Sequence, residues 1–121
     1  LREWPQTLAN LRALGAEKLV PGRGAALKTP QEVEDGIAGT QAFLTEMYQS
    51  VAQGVKDGQS LKEIYRKTYT KLEPQFGEWV IFEHCMPFDV ARAYDEASGI
   101  GDPRIWTAER DQEMWRALEQ D

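Results

Sequence analysis

Apolar residues recur at helical spacing over a long central stretch of the chain, from Thr29 to about Lys56. The stripe comprises Val33, Ile37, Leu44, Met47, Tyr48, Val51 and Val55, which share one face at the 3.6-residue period. Thr29 suits the N-cap, Pro30 the first helical position, and Glu32 the capping-box acid that reaches back to the Thr29 amide. The pattern predicts one long amphipathic helix, ended by Asp57-Gly58, around which the shorter segments pack.

The length of this helix has a consequence for assembly. At 1.5 Å rise per residue it would be roughly 40 Å long, longer than a domain of this size is wide. Part of its apolar stripe is therefore expected to need a neighbouring chain. Gly36 and Gly39 would each weaken the helix by up to ~1 kcal/mol relative to Ala, unless a close helix contact requires them.

The segment before the long helix predicts a short helix, a strand and a tight turn. Trp4, Leu8, Leu11 and Leu14 fall on one helical face, and Gly15 is placed for a left-handed C-cap. Residues 16–20 then read as a short buried strand. Pro21-Gly22-Arg23-Gly24 closes it, with two glycines that permit unusual backbone angles.

The segment after the long helix predicts further helices. Ser60 and Glu63 form a second capping box, and the helix that follows runs to Glu73-Pro74 as an antiparallel partner of the long helix. Residues 74–85 fit a strand as well as a helix, although Pro74 at the start and the aromatic spacing favour a helix.

The C-terminal part predicts a helix from Pro87 to Ser98, a loop from Ile100 to Trp106, and a last helix capped by Thr107. In the last helix Met114, Trp115 and Leu118 are expected to face inward. The whole pattern predicts a mainly α fold, with about six helices and one short strand in a single domain over residues 1–121.

Charge and hydropathy exclude some partners. The chain has 14 basic and 20 acidic side chains and a net charge of −6, which opposes a sequence-independent grip on nucleic acid. No apolar run is long enough to span a bilayer, so the sequence predicts a soluble chain that does not insert in membranes. The start at Leu1, without Met or a signal sequence, is typical of the interior of a larger reading frame.

Few residues suggest chemistry. His84 is the only histidine and Cys85 the only cysteine, so the pair cannot complete a zinc shell, which needs three or four ligands. The simpler interpretation of His84 is a partly buried ring that hydrogen-bonds a backbone carbonyl. Glu83 beside it is a weak candidate acid because its surroundings are otherwise aromatic. The Gly22-Arg23-Gly24 turn lacks the pattern of a phosphate-binding loop.

The aromatic residues allow two interpretations. Trp79, Phe82, Trp106 and Trp115 have spacings that core packing explains. Alternatively, Trp79, Phe82 and Trp106 line a groove that takes a small apolar ligand.

A family resemblance rests on the turn and on what surrounds it. Trp4, Leu8 and Leu11, then Leu19-Val20-Pro21-Gly22-Arg23-Gly24 and the helix from Thr29, resemble the C-terminal part of metallo-β-lactamase-fold hydrolases. In that family a helix leads to a strand that ends in Pro-Gly-His-Gly. Ser60-Leu61, Trp79, Pro87-Phe88-Asp89-Val90 and Ala93-Tyr94 resemble the subgroup of quinoprotein-relay and sulfur-oxidation-associated zinc hydrolases.

The resemblance implies the C-terminal helical part of an αββα fold, without the metal-bearing sheets. Arg23 occupies the position of the family's zinc-ligand histidine, and a guanidinium offers only donors, so it cannot bind Zn²⁺. The family's His-x-His-x-Asp-His motif is absent from the chain. We therefore expect no catalytic or metal-ligating residue and no cofactor, with zinc present only if another segment supplies its ligands.

Three functional hypotheses follow. The first is a non-catalytic, truncated or degenerate member of the family that forms a homodimer or higher oligomer through the long helix and the Trp4 helix. The second is part of a zinc-dependent hydrolase that an N-terminal half or another chain completes, with Arg23 binding an anionic substrate. The third is a helical small-ligand binding module. Residues expected to contact a ligand are Arg23, Trp79, Phe82, Glu83, His84 and Trp106.

Overall fold

Five helices form over the residues that the computed structural model describes, 1–102 and 104–119, and no sheet forms among them. The helices are α1 (Trp4–Ala13), α2 (Pro30–Lys56), α3 (Leu61–Phe76), α4 (Phe82–Ala97) and α5 (Ala108–Glu119). The predicted loop between the last two contains Pro103, which lies outside the described residues. The mainly α class is confirmed, whereas the count of about six helices is wrong.

The long helix α2 is the centre of the packing, because α1, α3 and α4 all contact it. Its predicted stripe is buried at Val33, Ile37, Leu44, Met47 and Val51, which confirms the amphipathic pattern. Thr29 caps it as predicted, accepting a hydrogen bond from the Glu32 amide at 3.2 Å. The Glu32 carboxylate, however, accepts from the Lys28 amide at 2.6 Å and not from that of Thr29.

The predicted antiparallel pair of α2 and α3 is present, and the two helices approach closely. The capping box of Ser60 and Glu63 forms in full, with the Ser60 amide donating to the Glu63 carboxylate at 2.7 Å. A Cβ added to Gly54 would lie 2.5 Å from Cγ1 of Ile64, so glycine is needed where the helices cross. A buried hydrogen bond of 2.8 Å joins the hydroxyls of Ser50 and Thr68 across the same contact.

The predicted separate helix over residues 74–85 is wrong, and two prolines explain the error. Pro74, the predicted helix start, lies in the last turn of α3, and Pro87, the predicted break, lies inside α4. Proline fits a helix without loss only in its first turn, so Pro74 and Pro87 each remove one helical hydrogen bond, and both helices form despite that loss. The turn that actually separates α3 from α4 is 77–81, where the Trp79 amide donates to the Phe76 carbonyl at 2.9 Å.

The predicted buried strand is also wrong. Residues 16–20 form no strand, and their only ladder contact is an antiparallel bridge between Leu19 and Leu27. Val20, predicted to be buried, is 83% exposed. Because no sheet is present among the described residues, this segment forms only the single bridge at Leu19.

Two predicted inward faces are open to solvent. On α1 only Leu8 is buried, whereas Trp4 is 53% and Leu14 75% exposed, because α2 is the only described helix that α1 contacts. On α5, Met114 and Leu118 are buried as predicted, but Trp115 is 58% exposed.

Polar contacts hold the segment before α5 and α5 itself against α4. Asp95 of α4 is buried, and its carboxylate accepts two hydrogen bonds from the guanidinium of Arg104, one of them 2.8 Å long from Nε. Arg110 of α5 lies 3.6 Å from the same carboxylate. Within the described part of the chain, no helix is both long and apolar enough to cross a membrane.

Candidate functional site

The loop between α1 and α2 is closed at its base and open at its tip. The Leu19 and Leu27 backbones exchange two hydrogen bonds, of 3.0 and 2.8 Å, which bring the ends of the Pro-Gly-Arg-Gly turn together. Gly24 has φ +95°, a conformation that favours glycine. Arg23 is thereby held on an exposed turn between two rigid helices.

An apolar groove of about 500 Å³ lies between this loop, α1 and the first half of α2. Leu8 and Leu11 of α1, Leu27 of the loop, Ile37 of α2 and Trp79 of the 77–81 turn supply its apolar walls. We call it the α1–α2 groove. Its volume is within the usual range for binding sites, and its lining is mainly hydrophobic, which is typical of surfaces that bind another molecule.

Two glycines of α2 form the floor of this groove. A Cβ on Gly36 would lie 2.8 Å from Cδ1 of Leu27, and one on Gly39 would lie 3.6 Å from the Trp79 ring. The close contact that would justify a helix-weakening glycine is therefore present at Gly36, where Leu27 rather than another helix makes it, whereas a Cβ at Gly39 would meet Trp79 at an ordinary contact distance.

Exposed hydrophobic side chains extend the groove outward. Leu14 follows the last residue of α1, Val20 lies in sequence between two residues of the groove wall, and Val80 follows Trp79. Leu14, Val20 and Val80 are 75%, 83% and 85% exposed. Single exposed apolar residues are ordinary, whereas several that neighbour the residues of one apolar groove in sequence favour an interaction surface.

The charged groups of the groove are Arg23 and Asp35. Arg23 forms no ion pair with a carboxylate of the described residues, and Asp35 accepts only from the neutral amide of Gln31, at 2.8 Å. Both charges therefore remain free to meet a partner.

The Cys85 thiol of α4 lies within electrostatic range of the loop, and the Asp89 carboxyl lies one helical turn further along α4. Burial raises the pKa of Cys85, the Asp89 carboxylate raises it further, and the Arg23 guanidinium opposes both. Burial also raises the pKa of Asp89 from 3.8 to about 6. A carboxyl with such a raised pKa is a candidate functional group, because active and binding sites concentrate perturbed acids.

The residues expected to contact a ligand fall into three places. Arg23 and Trp79 share the α1–α2 groove, whereas Glu83, His84 and Trp106 line a second cleft between α4 and α5. Phe82 belongs to neither, because it is 4% exposed in the core, with its ring 6.4 Å from that of Phe43. The predicted single groove of Trp79, Phe82 and Trp106 is therefore not formed.

Two further expectations about these side chains are corrected. His84 is exposed instead of partly buried, and its contact is the ring of Phe88 at 5.6 Å. Trp79 is 41% exposed and so is not a core residue, because the turn before α4 leaves one side of its ring uncovered. Its other side packs on Phe43 and Phe76, at 5.5 and 5.0 Å between ring centroids.

The residues present do not fit zinc. Among the described residues, no group of three or more histidine, cysteine, aspartate or glutamate side chains converges in a way that could hold a metal ion. Arg23, at the turn, has no lone pair to offer. No metal-dependent step is therefore assigned to this chain alone.

Sequence reasoning missed several residues of these sites. Asp89 was noted only as part of a family motif, although its place four residues after Cys85 puts both on one face of α4. Phe88 and the exposed side of Trp115 were also missed, because which face of a helix stays open depends on the packing of α5.

No protein-family model matches the chain, and no curated protein is detectably similar to it.

Proposed function

We propose that this chain is a non-catalytic helical domain that self-associates through the α1–α2 groove and its apolar rim. The observation that carries the proposal is the uncovered apolar surface formed by Leu11, Leu14, Val20, Trp79 and Val80. Removing about 25 cal/mol per Å² of apolar surface from water favours association, and a stable interface buries roughly 800 Å² on each partner.

A second copy of the chain suits the groove because the groove is self-complementary in charge. In a two-fold symmetric dimer the same patch meets itself, so residue pairs are exchanged reciprocally. Arg23 of one copy would then face Asp35 of the other, twice. The exposed apolar side chains around the groove would form the buried centre of the interface, and the two ion pairs would fix the orientation of the two copies.

The test is the mass of the protein in solution, measured by sedimentation velocity between roughly 1 and 100 µM. These concentrations bracket the dissociation constants of ordinary weak dimers. We expect a concentration-dependent dimer in the wild type and a monomer in Leu14→Glu and Val20→Glu. Both side chains are largely exposed, at 75% and 83%, so the substitutions should leave the fold intact.

Ile105→Glu is the matched control, because Ile105 is 84% exposed but is not part of the groove. It should dimerise like the wild type. Arg23→Glu should weaken the dimer, and the double variant Arg23→Glu with Asp35→Arg should restore it. A wild type that stays monomeric throughout, or a control variant that dissociates as readily as Leu14→Glu, would refute the proposal.

The second candidate function follows from the resemblance to metallo-β-lactamase-fold hydrolases. Here the chain would be the C-terminal helical portion of such an enzyme, and the α1–α2 groove would be covered by an N-terminal half or another chain that carries the zinc ligands. The exposed, unpaired Arg23 favours this reading, since a guanidinium near an active site binds carboxylates and phosphates in a bidentate manner.

Metal retention separates the two functions. The chain is incubated with zinc, free metal is removed, and bound metal is counted. Self-association without zinc supports the non-catalytic domain, whereas stoichiometric retention that requires the N-terminal half or the partner chain supports the hydrolase.

A further inference from the structure

A second cleft, distinct from the α1–α2 groove, lies between α4 and α5. It has a volume of about 300 Å³, and its walls include Pro87 and Phe88 of α4, Trp106, and Met114, Trp115 and Leu118 of α5. We call it the α4–α5 cleft. Met114 and Leu118 are buried beneath it, so its base belongs to the packed core.

Aromatic rings dominate the cleft. The centroids of Phe88 and Trp106 are 4.5 Å apart, and His84 continues the row with its ring 5.6 Å from Phe88. Trp115 is 58% exposed on the opposite helix. The guanidinium carbon of Arg110 lies 5.9 Å from the centroid of the Trp106 ring, so this ring already holds one cation of the chain.

The charge of the lining is negative. Its ionisable members are Glu83, His84 and Asp111, and no described lysine or arginine lines the cleft. Glu83 accepts a hydrogen bond from the Tyr69 hydroxyl and Asp111 from the Trp106 indole, both at 3.2 Å. Both donors are neutral, so they orient the two carboxylates without cancelling their charge.

Arg110, the cation that contacts Trp106, is also paired with two carboxylates outside the cleft. Arg110 lies 3.6 Å from the carboxylate of Asp95 and 3.0 Å from that of Glu113. Aromatic faces together with uncompensated carboxylates are the features that recognise organic ammonium ions, because the ring quadrupole and the negative charge act in the same direction.

We propose that the α4–α5 cleft binds a small organic cation that carries an ammonium group on an apolar body. The apolar body lies against Phe88, Trp106 and Trp115. The ammonium group lies at the rim, near Glu83 and Asp111. The volume suits a compact ligand rather than a polymer, since it is at the lower end of the range for small-molecule sites.

Benzyltrimethylammonium is the probe, with benzyl alcohol and phenylacetate as neutral and anionic comparisons that share the benzyl group. The readout is the indole N–H resonances of the four tryptophans in a ¹⁵N-labelled full chain. We expect the cation to shift the resonances of Trp106 and Trp115 saturably, with the resonances of Trp4 and Trp79 unmoved as internal references.

Variants assign the effect to the cleft. Glu83→Gln and Asp111→Asn should each weaken binding of the cation about threefold to fivefold, the effect of losing one partly exposed charge. Asp111→Asn keeps an oxygen that can accept from the Trp106 indole. Glu17→Gln is the matched control, because it removes an exposed acid between α1 and the loop and should not change the affinity.

A truncation tests the aromatic wall without endangering the fold. Trp115→Ala changes a largely exposed side chain, so it should remove most of the affinity while leaving the helical circular dichroism spectrum unchanged. Equal shifts from all three benzyl compounds would overturn the proposal, since the cleft would then be a charge-blind apolar surface. The absence of saturable shifts with any of them would overturn it as well.

Discussion

Asp89 makes the stability of this fold depend on pH in a direction that can be tested. Burial raises its pKa from 3.8 to about 6 in the folded state. The folded protein therefore holds a proton that the unfolded chain releases above pH 4. Protonated Asp89 favours folding at low pH, and that contribution is lost as the pH rises through the folded pKa.

The magnitude follows from the shift. A change of roughly two pKa units corresponds to ~3 kcal/mol. Asp89 is only partly buried, so we expect about 2 kcal/mol after allowing for solvent screening. Asp89→Asn replaces the carboxyl with a neutral group of the same shape. It should therefore raise the free energy of unfolding by about 2 kcal/mol at pH 8 and by much less at pH 4.5.

Urea unfolding followed by tryptophan fluorescence at pH 4.5, 6 and 8 measures this difference. Glu17→Gln, at an exposed acid, should stay within about 0.5 kcal/mol of the wild type at every pH. The diagnostic quantity is the gap between Asp89→Asn and wild type, because other acids contribute equally to both proteins. A gap that is constant between pH 4.5 and 8, or that closes as the pH rises, would refute a raised pKa for Asp89.

Two further substitutions test the packing. Asp95→Asn should lower the free energy of unfolding, measured by thermal unfolding, by about 3 kcal/mol, because it leaves the buried Arg110 without its partner on α4. Glu113→Gln removes a partner of Arg110 that is 62% exposed, so it should lower the free energy of unfolding by less than about 0.5 kcal/mol. Equal losses would show that Asp95 is not the anchor of α5. Gly54→Ala should lower the free energy of unfolding by about 1–3 kcal/mol, because the new Cβ would lie 2.5 Å from Ile64. In the control Gly101→Ala the new Cβ meets no atom within 4 Å, so the free energy of unfolding should not change. Similar losses in both glycine variants would contradict the close crossing of α2 and α3.

The parts of the fold that the sequence predicted are those governed by local rules. The caps at Thr29 and Ser60 and the buried stripe of α2 depend on residues within one or two helical turns, and all three are present. The boundaries predicted at Pro74 and Pro87 are wrong because the sequence does not distinguish a proline inside a helix from one that begins or breaks a helix.

The solvent exposure of individual apolar side chains could not be predicted from local sequence patterns. The apolar stripe of α1 has the same spacing whether or not a second surface covers it, so Trp4 and Leu14 were predicted to be buried and are not. The same limit applies to the candidate site. Arg23 and Trp79 were identified one at a time, but their meeting in one groove depends on the fold of the 19–27 loop onto α2.

The α1–α2 groove and the α4–α5 cleft differ in which apolar and charged groups lack a partner, and this difference indicates what each surface would bind. The α1–α2 groove leaves uncovered apolar area and two unpaired charges, which an extended partner surface would satisfy together. The α4–α5 cleft leaves two carboxylates beside aromatic faces, which a small cation would satisfy. Asp89, one helical turn from Cys85 on α4, carries a charge at neutral pH that lowers the stability of the fold. Folding alone would favour a neutral side chain at this position, so its carboxyl marks Asp89 as a candidate functional group.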